Sequence, residues 1–443
     1  MQPRLWVGGF VFVLACGGDP SGERVDAPIG GSSGAAAGGA GGVGGVTIDA
    51  GNPPQIDGSI GGSGGAAGGM TCGLAGCGQT ITGHRGVVDM LFVVDTSGSM
   101  EEEQASLALE FPRLMRKLTS GDHNEDGEPE YEPVKDLHIG VVSTDLGGAP
   151  SVARCMGSGH SGVLLNRSTA VGCERELPKF LTYLAEQDDP ERVAEDFACM
   201  AQLGITGCGF EQPLESALQA LWPSADPTIR FNAPTTEDSF GRGDRDNAGF
   251  LRNDPASPAT LAIVVVTDED DCSSFDSRLW LPPTSLEADD PLATQALNLR
   301  CFYNPESKYD LDRYAVGYRA LHGWTGARVL FAAIVGVPVN LVDQAALAAV
   351  DWNDDAQREA HYDKILNDER MQEVPIELTA GSGILENLAP SCEGADGILA
   401  YPPRRIVSLA RKFGPNSLVQ SICGDNLGPP IDIIIRQVLE GPQ

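Results

Sequence analysis

Basic residues are scarce in this chain. Its 443 residues include 30 Lys and Arg against 62 Asp and Glu, for a formal net charge of −32. A phosphate-backbone binder needs clustered Lys and Arg, so a general nucleic-acid-binding role is excluded. An acidic surface favours solubility, cations and basic partners. Histidine is sparse too, at six residues, and neither a CxxC pair nor an HExxH stretch occurs, which argues against a zinc site. No Walker lysine motif is present. GSGHSG at 157–162 matches GxGxxG spacing but follows no βα turn, and GxSxG at 61–65 lies in a glycine tract with no strand-to-helix elbow. His138 and His322 stand on segments patterned for packing. Nothing joins a nucleophile to a base, so the chain reads as non-enzymatic.

Long apolar runs are also missing, and no stretch is of transmembrane length. The N-terminal MQPRLWVGGFVFVLACGG has one early basic residue, Arg4, and a short apolar run, Leu5–Leu14. It then reads Val13-Leu14-Ala15-Cys16, which resembles a bacterial lipobox. That likeness implies a signal segment over 1–16, lipidation at Cys16 and a lipid anchor as the sole attachment to a membrane, taken here as the outer one. Residues 17–70 are dominated by Gly, Ala and Ser and read as a flexible linker. Residues 71–85 form a small Cys-containing segment. Without Cys16, ten of the eleven cysteines remain. An even number in an exported chain suggests disulfides. Neighbour pairing gives Cys72/Cys77, Cys155/Cys173, Cys199/Cys208, Cys272/Cys301 and Cys392/Cys423.

From residue 86 the pattern becomes that of a folded domain, taken here to extend to 440. Val87–Val94, Leu137–Ser143, Leu261–Thr267 and Val329–Val337 are apolar runs of strand length. Glu101–Leu118 has helical spacing, with Leu107, Phe111, Leu114, Met115 and Leu118 on one face. Helices are also expected over Glu176–Glu186, Pro190–Leu203, Pro213–Leu221, Arg313–His322, Arg404–Phe413 and Ile431–Leu439. Buried strands alternating with amphipathic helices predict an α/β fold: a doubly wound, mainly parallel sheet with helices on both faces. Residues 146–200, 222–258 and 273–312 read as long, disulfide-braced insertions.

In DMLFVVDTSGSM (89–100) a buried strand ends in Asp95, Ser97 and Ser99. One carboxylate and two hydroxyls at alternate positions suit a hard cation, which prefers oxygen ligands. Neutral hydroxyls leave such a cation under-neutralised. FVVDTSGSM resembles the first metal loop of a von Willebrand factor A domain, and VVVTDED (264–270) is similar to that family's third, an apolar strand ending in Thr-Asp. The resemblance implies a metal-ion-dependent adhesion site with Asp95, Ser97 and Ser99 as direct ligands of Mg²⁺, Mn²⁺ or Ca²⁺, and Asp268 reaching the metal through water. The family's second loop supplies a threonine before a helix. In LGITGCGFEQPLESALQAL (203–221) Thr206 matches by type, and Glu211, nearer the helix start, could substitute. Glu269, Asp270 and Asp271 stand where the family often has glycine, and these carboxylates would neutralise the metal further or favour Ca²⁺.

DHNEDGEPEYE (122–132) is a further oxygen-rich stretch. Asp122, Asn124, Asp126 and Gly127 match the start of an EF-hand-like calcium loop, but the twelfth position is Pro133 rather than glutamate. It reads either as a second calcium loop or as a solvated acidic loop. Together these features predict an envelope-anchored adhesion module that binds a protein or polysaccharide through a divalent cation. The alternative is a structural envelope component in which the metal only stabilises loops.

Overall fold

The protein is described here by a computed structural model, covering residues 86–440 apart from 149–154, 156–158, 169, 234, 253–257, 326–327, 381–382, 395–396 and 398. Cys16, the 17–70 stretch and the 71–85 segment with Cys72 and Cys77 lie outside the described residues.

The apolar runs form one sheet. Its strands are β1 (Val87–Val94), β2 (Asp136–Ser143), β3 (Leu181–Leu184), β4 (Thr260–Val266), β5 (Arg328–Val335) and β6 (Ser417–Ser421), in the order β3-β2-β1-β4-β5-β6. All neighbours are parallel except β2 and β3. β1 and β4 lie in the middle and are buried from end to end apart from Val87. Burial on both faces explains why neither shows a polar–apolar alternation.

Helices cover both faces. On one side, Met90, Phe92 and Val94 of β1 pack with α1 (Glu101–Ser120), α2 (Pro190–Met200) and α7 (Gly428–Glu440). On the other, Leu91 and Val93 pack with α3 (Pro213–Leu221), α4 (Asp312–Thr325), α5 (Asp355–Leu366) and α6 (Arg404–Lys412). The expected α1 face, from Leu107 to Leu118, is fully buried. Phe111 of α1 meets Phe92 of β1 and Phe197 of α2, joining two helices to the sheet at one point.

The strand order reverses between β1 and β4. In open α/β sheets such a reversal leaves a crevice at the carboxyl ends of the strands, where ligands bind. Asp95 follows β1 and Asp268 lies just beyond β4, so both stand at this crevice.

Several expectations need correction. The 176–186 segment is not a helix. Leu177, Phe180, Leu181 and Leu184 have helical spacing, but Leu181–Leu184 pairs antiparallel with β2, with Leu181 and Tyr183 buried and Thr182 and Leu184 outward. The free backbone edge of β2 decides the conformation here, overriding local periodicity. Residues 146–200 are therefore not wholly an insertion, because they supply β3 and α2. Cysteine pairing also differs in two cases. The bonds are Cys155–Cys208 and Cys173–Cys199, not Cys155/Cys173 and Cys199/Cys208, whereas Cys272–Cys301 and Cys392–Cys423 pair as expected. Folding of α2 onto the 166–177 loop brings Cys199 to Cys173 and frees Cys208 for Cys155. The four disulfides among the described residues fit an oxidising compartment. Among the described residues, no helix is long and apolar enough to cross a membrane.

Phe111→Ala is expected to lower stability by about 3–5 kcal/mol, the usual range for emptying a buried phenylalanine site. Urea unfolding at fixed divalent-cation concentration measures this, and a loss under 1 kcal/mol, within the range of surface substitutions, would contradict the packing described.

Candidate metal centre

Parallel register assembles the centre. Val94 pairs with Ser143 of β2 and with Val266 of β4. The next residues, Thr144, Asp95 and Thr267, therefore stand side by side where the three strands end. Thr267 Oγ1 donates to Asp95 Oδ2 at 2.6 Å, and the Ser97 N–H donates to Asp95 Oδ1 at 2.7 Å. Ser97 Oγ lies 3.2 Å from Ser99 Oγ. Asp95 and Asp268 are fully buried and Ser97 nearly so, whereas Ser99 is exposed.

The second loop is laced to the first. Gln104, in the first turn of α1, donates through Nε2 to the Asp95 carbonyl at 2.7 Å and the Gly204 carbonyl at 3.0 Å, while its Oε1 accepts the Gly204 N–H. The Gly207 N–H donates to the Thr96 carbonyl at 2.9 Å. This approach requires glycine, because a Cβ at position 207 would fall 2.0 Å from Thr96 Oγ1. The Gln212 N–H donates to the Thr144 carbonyl and the Cys272 N–H to the Glu211 carbonyl, which ties the second loop to the ends of β2 and β4. Of the two second-loop candidates, Thr206 is exposed, whereas Glu211 is buried against the other carboxylates.

Asp95, Glu211, Asp268 and Glu269 therefore form one acidic group. Among the described residues, no basic side chain forms an ion pair with any of them. Both Asp268 oxygens and Glu211 Oε1 are buried without a hydrogen-bond partner, as are the hydroxyls of Thr96 and Thr144. Glu211 and Glu269 interact side chain to side chain. Burial raises the Asp95 pKa, against which the Thr267 and Ser97 hydrogen bonds work. Asp268 is pushed well above the carboxylate range by burial and then by Asp95 and Glu269. Glu211 is raised likewise by burial, Glu269 and Asp95. Glu269 is pushed up to about 7, first by burial and then by Asp95.

Buried polar groups are ordinarily paired, and an unpaired buried carboxylate costs several kcal/mol. The donor set, carboxylates with neutral hydroxyls and no sulfur or imidazole, suits a hard cation. Asp95, Ser97, Ser99, Glu211, Asp268 and Glu269 are the residues that could hold it.

The 122–132 loop is a separate acidic site. Asp122, Asp126 and Glu130 each offer an oxygen within 4.8 Å of the others and could hold a metal ion. Asp122 Oδ2 accepts the Gly127 N–H at 2.8 Å, and Asn124 Oδ1 accepts the Asp126 N–H at 2.8 Å. Gly127, with φ at 97°, makes the sharp turn that this loop type needs at its sixth position. Glu130, at the ninth position, was not singled out in the sequence.

Sequence reasoning also missed Thr144, Thr267 and Gln104. A signal existed for the threonines, since FVVD, VVST and VVVT each end an apolar run in a polar residue on three adjacent strands. For Gln104 there was none, because its role depends on a loop 100 residues away. Ser143 Oγ lies 2.6 Å from His160 Nδ1, but the serine is buried and no third group among the described hydrogen bonds orients the imidazole. No family model matches the chain, and no curated protein matches it.

Two outcomes follow. Gly207→Ala is expected to weaken cation binding about 10- to 100-fold, as loss of outer-shell support does, with the fold retained by circular dichroism. Equal affinity by calorimetry would show that the second loop is not needed. The second outcome concerns pH. The usual glutamate pKa is 4.5 and folded Glu269 sits near 7, so between these values the native state holds protons that the unfolded state has lost. The contribution of Glu269 to stability without metal is then fully present below about 4.5 and is lost as pH rises towards 7. Melting curves in a chelator at pH 5 and pH 7.5 should show this fall, and Glu269→Gln should reduce it.

Proposed function

We propose that the chain is an exported, lipid-anchored module with one von Willebrand factor A-like domain, which coordinates a divalent cation at the Asp95 site and binds a protein or polysaccharide partner. The observation that carries this reading is the group of carboxylates at the sheet's switch point, unpaired by any basic residue described and bordered by the Ser97 and Ser99 hydroxyls. It is also supported by the six-stranded order with one antiparallel edge strand and by the position of Asp95 and Asp268 beyond adjacent central strands. Asp95, Ser97 and Ser99 serve as direct ligands, and Asp268 orients bound water or contacts the metal itself. Thr206 is replaced by Glu211 as the second-loop ligand. No catalytic role is proposed.

A second reading is favoured by the disulfides beside both loops: Cys208 lies near Glu211, and Cys272 near Glu269. In this reading the metal stabilises the loops of an envelope component and touches no partner.

Calorimetric titration of Mg²⁺, Mn²⁺ and Ca²⁺ into the purified chain, beside Asp95→Ala and Asp122→Ala variants, tests the centre. Binding that disappears in Asp95→Ala is expected. Binding lost only in Asp122→Ala would move the cation to the 122–132 loop. The immobilised chain should then retain envelope protein or polysaccharide with cation and release it in chelator. Equal retention by Asp95→Ala would reject the adhesion mechanism.

A further inference from the structure

Asp268-Glu269-Asp270-Asp271 is four acids in a row, but the fold divides them. Asp270 accepts the Arg405 backbone N–H with both oxygens at 3.0 Å. Asp271 pairs with the Arg405 guanidinium at 3.1 Å and accepts Ser273 Oγ at 2.6 Å. Asp271 is thus ion-paired and Asp270 hydrogen-bonded inside the protein. Asp268 and Glu269 have no ion pair among the described residues and stand with Asp95 and Glu211. Glu269 alone of these four is partly open to solvent.

We propose that Glu211 and Glu269 complete the cation's coordination from within the chain. The centre then takes calcium in preference to magnesium and leaves no position for a partner's carboxylate. This deepens, and rests on, the metal-centre reading above.

Four carboxylates around a doubly charged ion leave the loaded site anionic, so a fifth from a partner is repelled at close range. Magnesium demands near-octahedral geometry, keeps several waters and commonly takes one or two carboxylates, whereas calcium takes about 6–8 oxygens in flexible geometry. Four carboxylates with the Ser97 and Ser99 hydroxyls make a calcium-type set. The buried, unpartnered oxygens of Asp268 and Glu211 point independently to an ion. No three of the four carboxylates place oxygens within 4.8 Å of one another, the spacing that Asp122, Asp126 and Glu130 reach. Loading the site on this proposal requires Glu211 and Glu269 to move inward, which would set the two loops. Partner contact falls to the surrounding surface that those loops shape, not to the metal.

The test uses the full chain carrying Asp122→Ala and Asp126→Ala, so that the second loop contributes nothing. Calcium and magnesium are titrated into this parent, into a Glu211→Gln/Glu269→Gln variant and into an Asp95→Ala variant. Terbium, a calcium-sized probe, reports bound water through its luminescence decay in H₂O and D₂O. The parent should bind calcium about tenfold or more tighter than magnesium. The double glutamine variant should lose about tenfold in calcium affinity, narrow the gap to magnesium and gain terbium-bound water. Its thermal melt in chelator confirms folding, since the substitution removes buried charge.

Equal calcium and magnesium affinity in the parent overturns the proposal, and so does a double variant with unchanged calcium affinity and water count. Either result leaves the metal centre standing if Asp95→Ala abolishes binding. Binding that survives Asp95→Ala removes the metal-centre reading and this proposal together.

Discussion

Negative charge without a counter-charge at one end of the sheet is the constraint on which the rest of this structure depends. Asp95, Glu211, Asp268 and Glu269 reach that end from three segments far apart in sequence, held by backbone hydrogen bonds between the loops. The doubly wound arrangement makes this tolerable in part. α1 and α3 both begin just after the loops that carry Asp95 and Glu211, so the positive ends of two helices face the acidic group. Partial charges of that size cannot offset four carboxylates. The remainder falls to a bound cation or to retained protons, and the raised Glu269 pKa reflects the second state.

Much of the fold was legible because its strongest signals are local. β1, β4 and β5 are continuous apolar runs, and α1 shows helical spacing over its whole buried face, so period and length identify them. The elements misread or passed over lack that autonomy. β3 has a helix-like pattern and becomes a strand only because β2 offers an edge. The apolar residues of β6, in SLVQS, are too few to declare a strand without β5 beside them.

The site was legible in the same uneven way. Asp95, Ser97 and Ser99 form a motif within one turn, and Asp268 ends a strand of the same kind, so each could be picked out singly. Glu211 could not be preferred over Thr206 from spacing alone, because the choice depends on how the second loop folds over Thr96. The Gly207 N–H, bound to the Thr96 carbonyl, anchors that fold and turns Glu211 inward while Thr206 faces out. Likewise, four consecutive acids looked equivalent until Arg405, 134 residues beyond Asp271, separated the two it binds, Asp271 through its guanidinium and Asp270 through its backbone N–H, from the two left beside Asp95.

The disulfides at the second and third loops carry one more consequence. Cys155–Cys208 and Cys272–Cys301 each anchor a loop within three residues of a glutamate in the acidic group. Thiols in a reducing cytoplasm leave both loops unstapled, and the repulsion among the carboxylates then works to hold them apart. Oxidation removes that freedom. With both bonds formed, the two glutamate-bearing loops are held against that repulsion by covalent links.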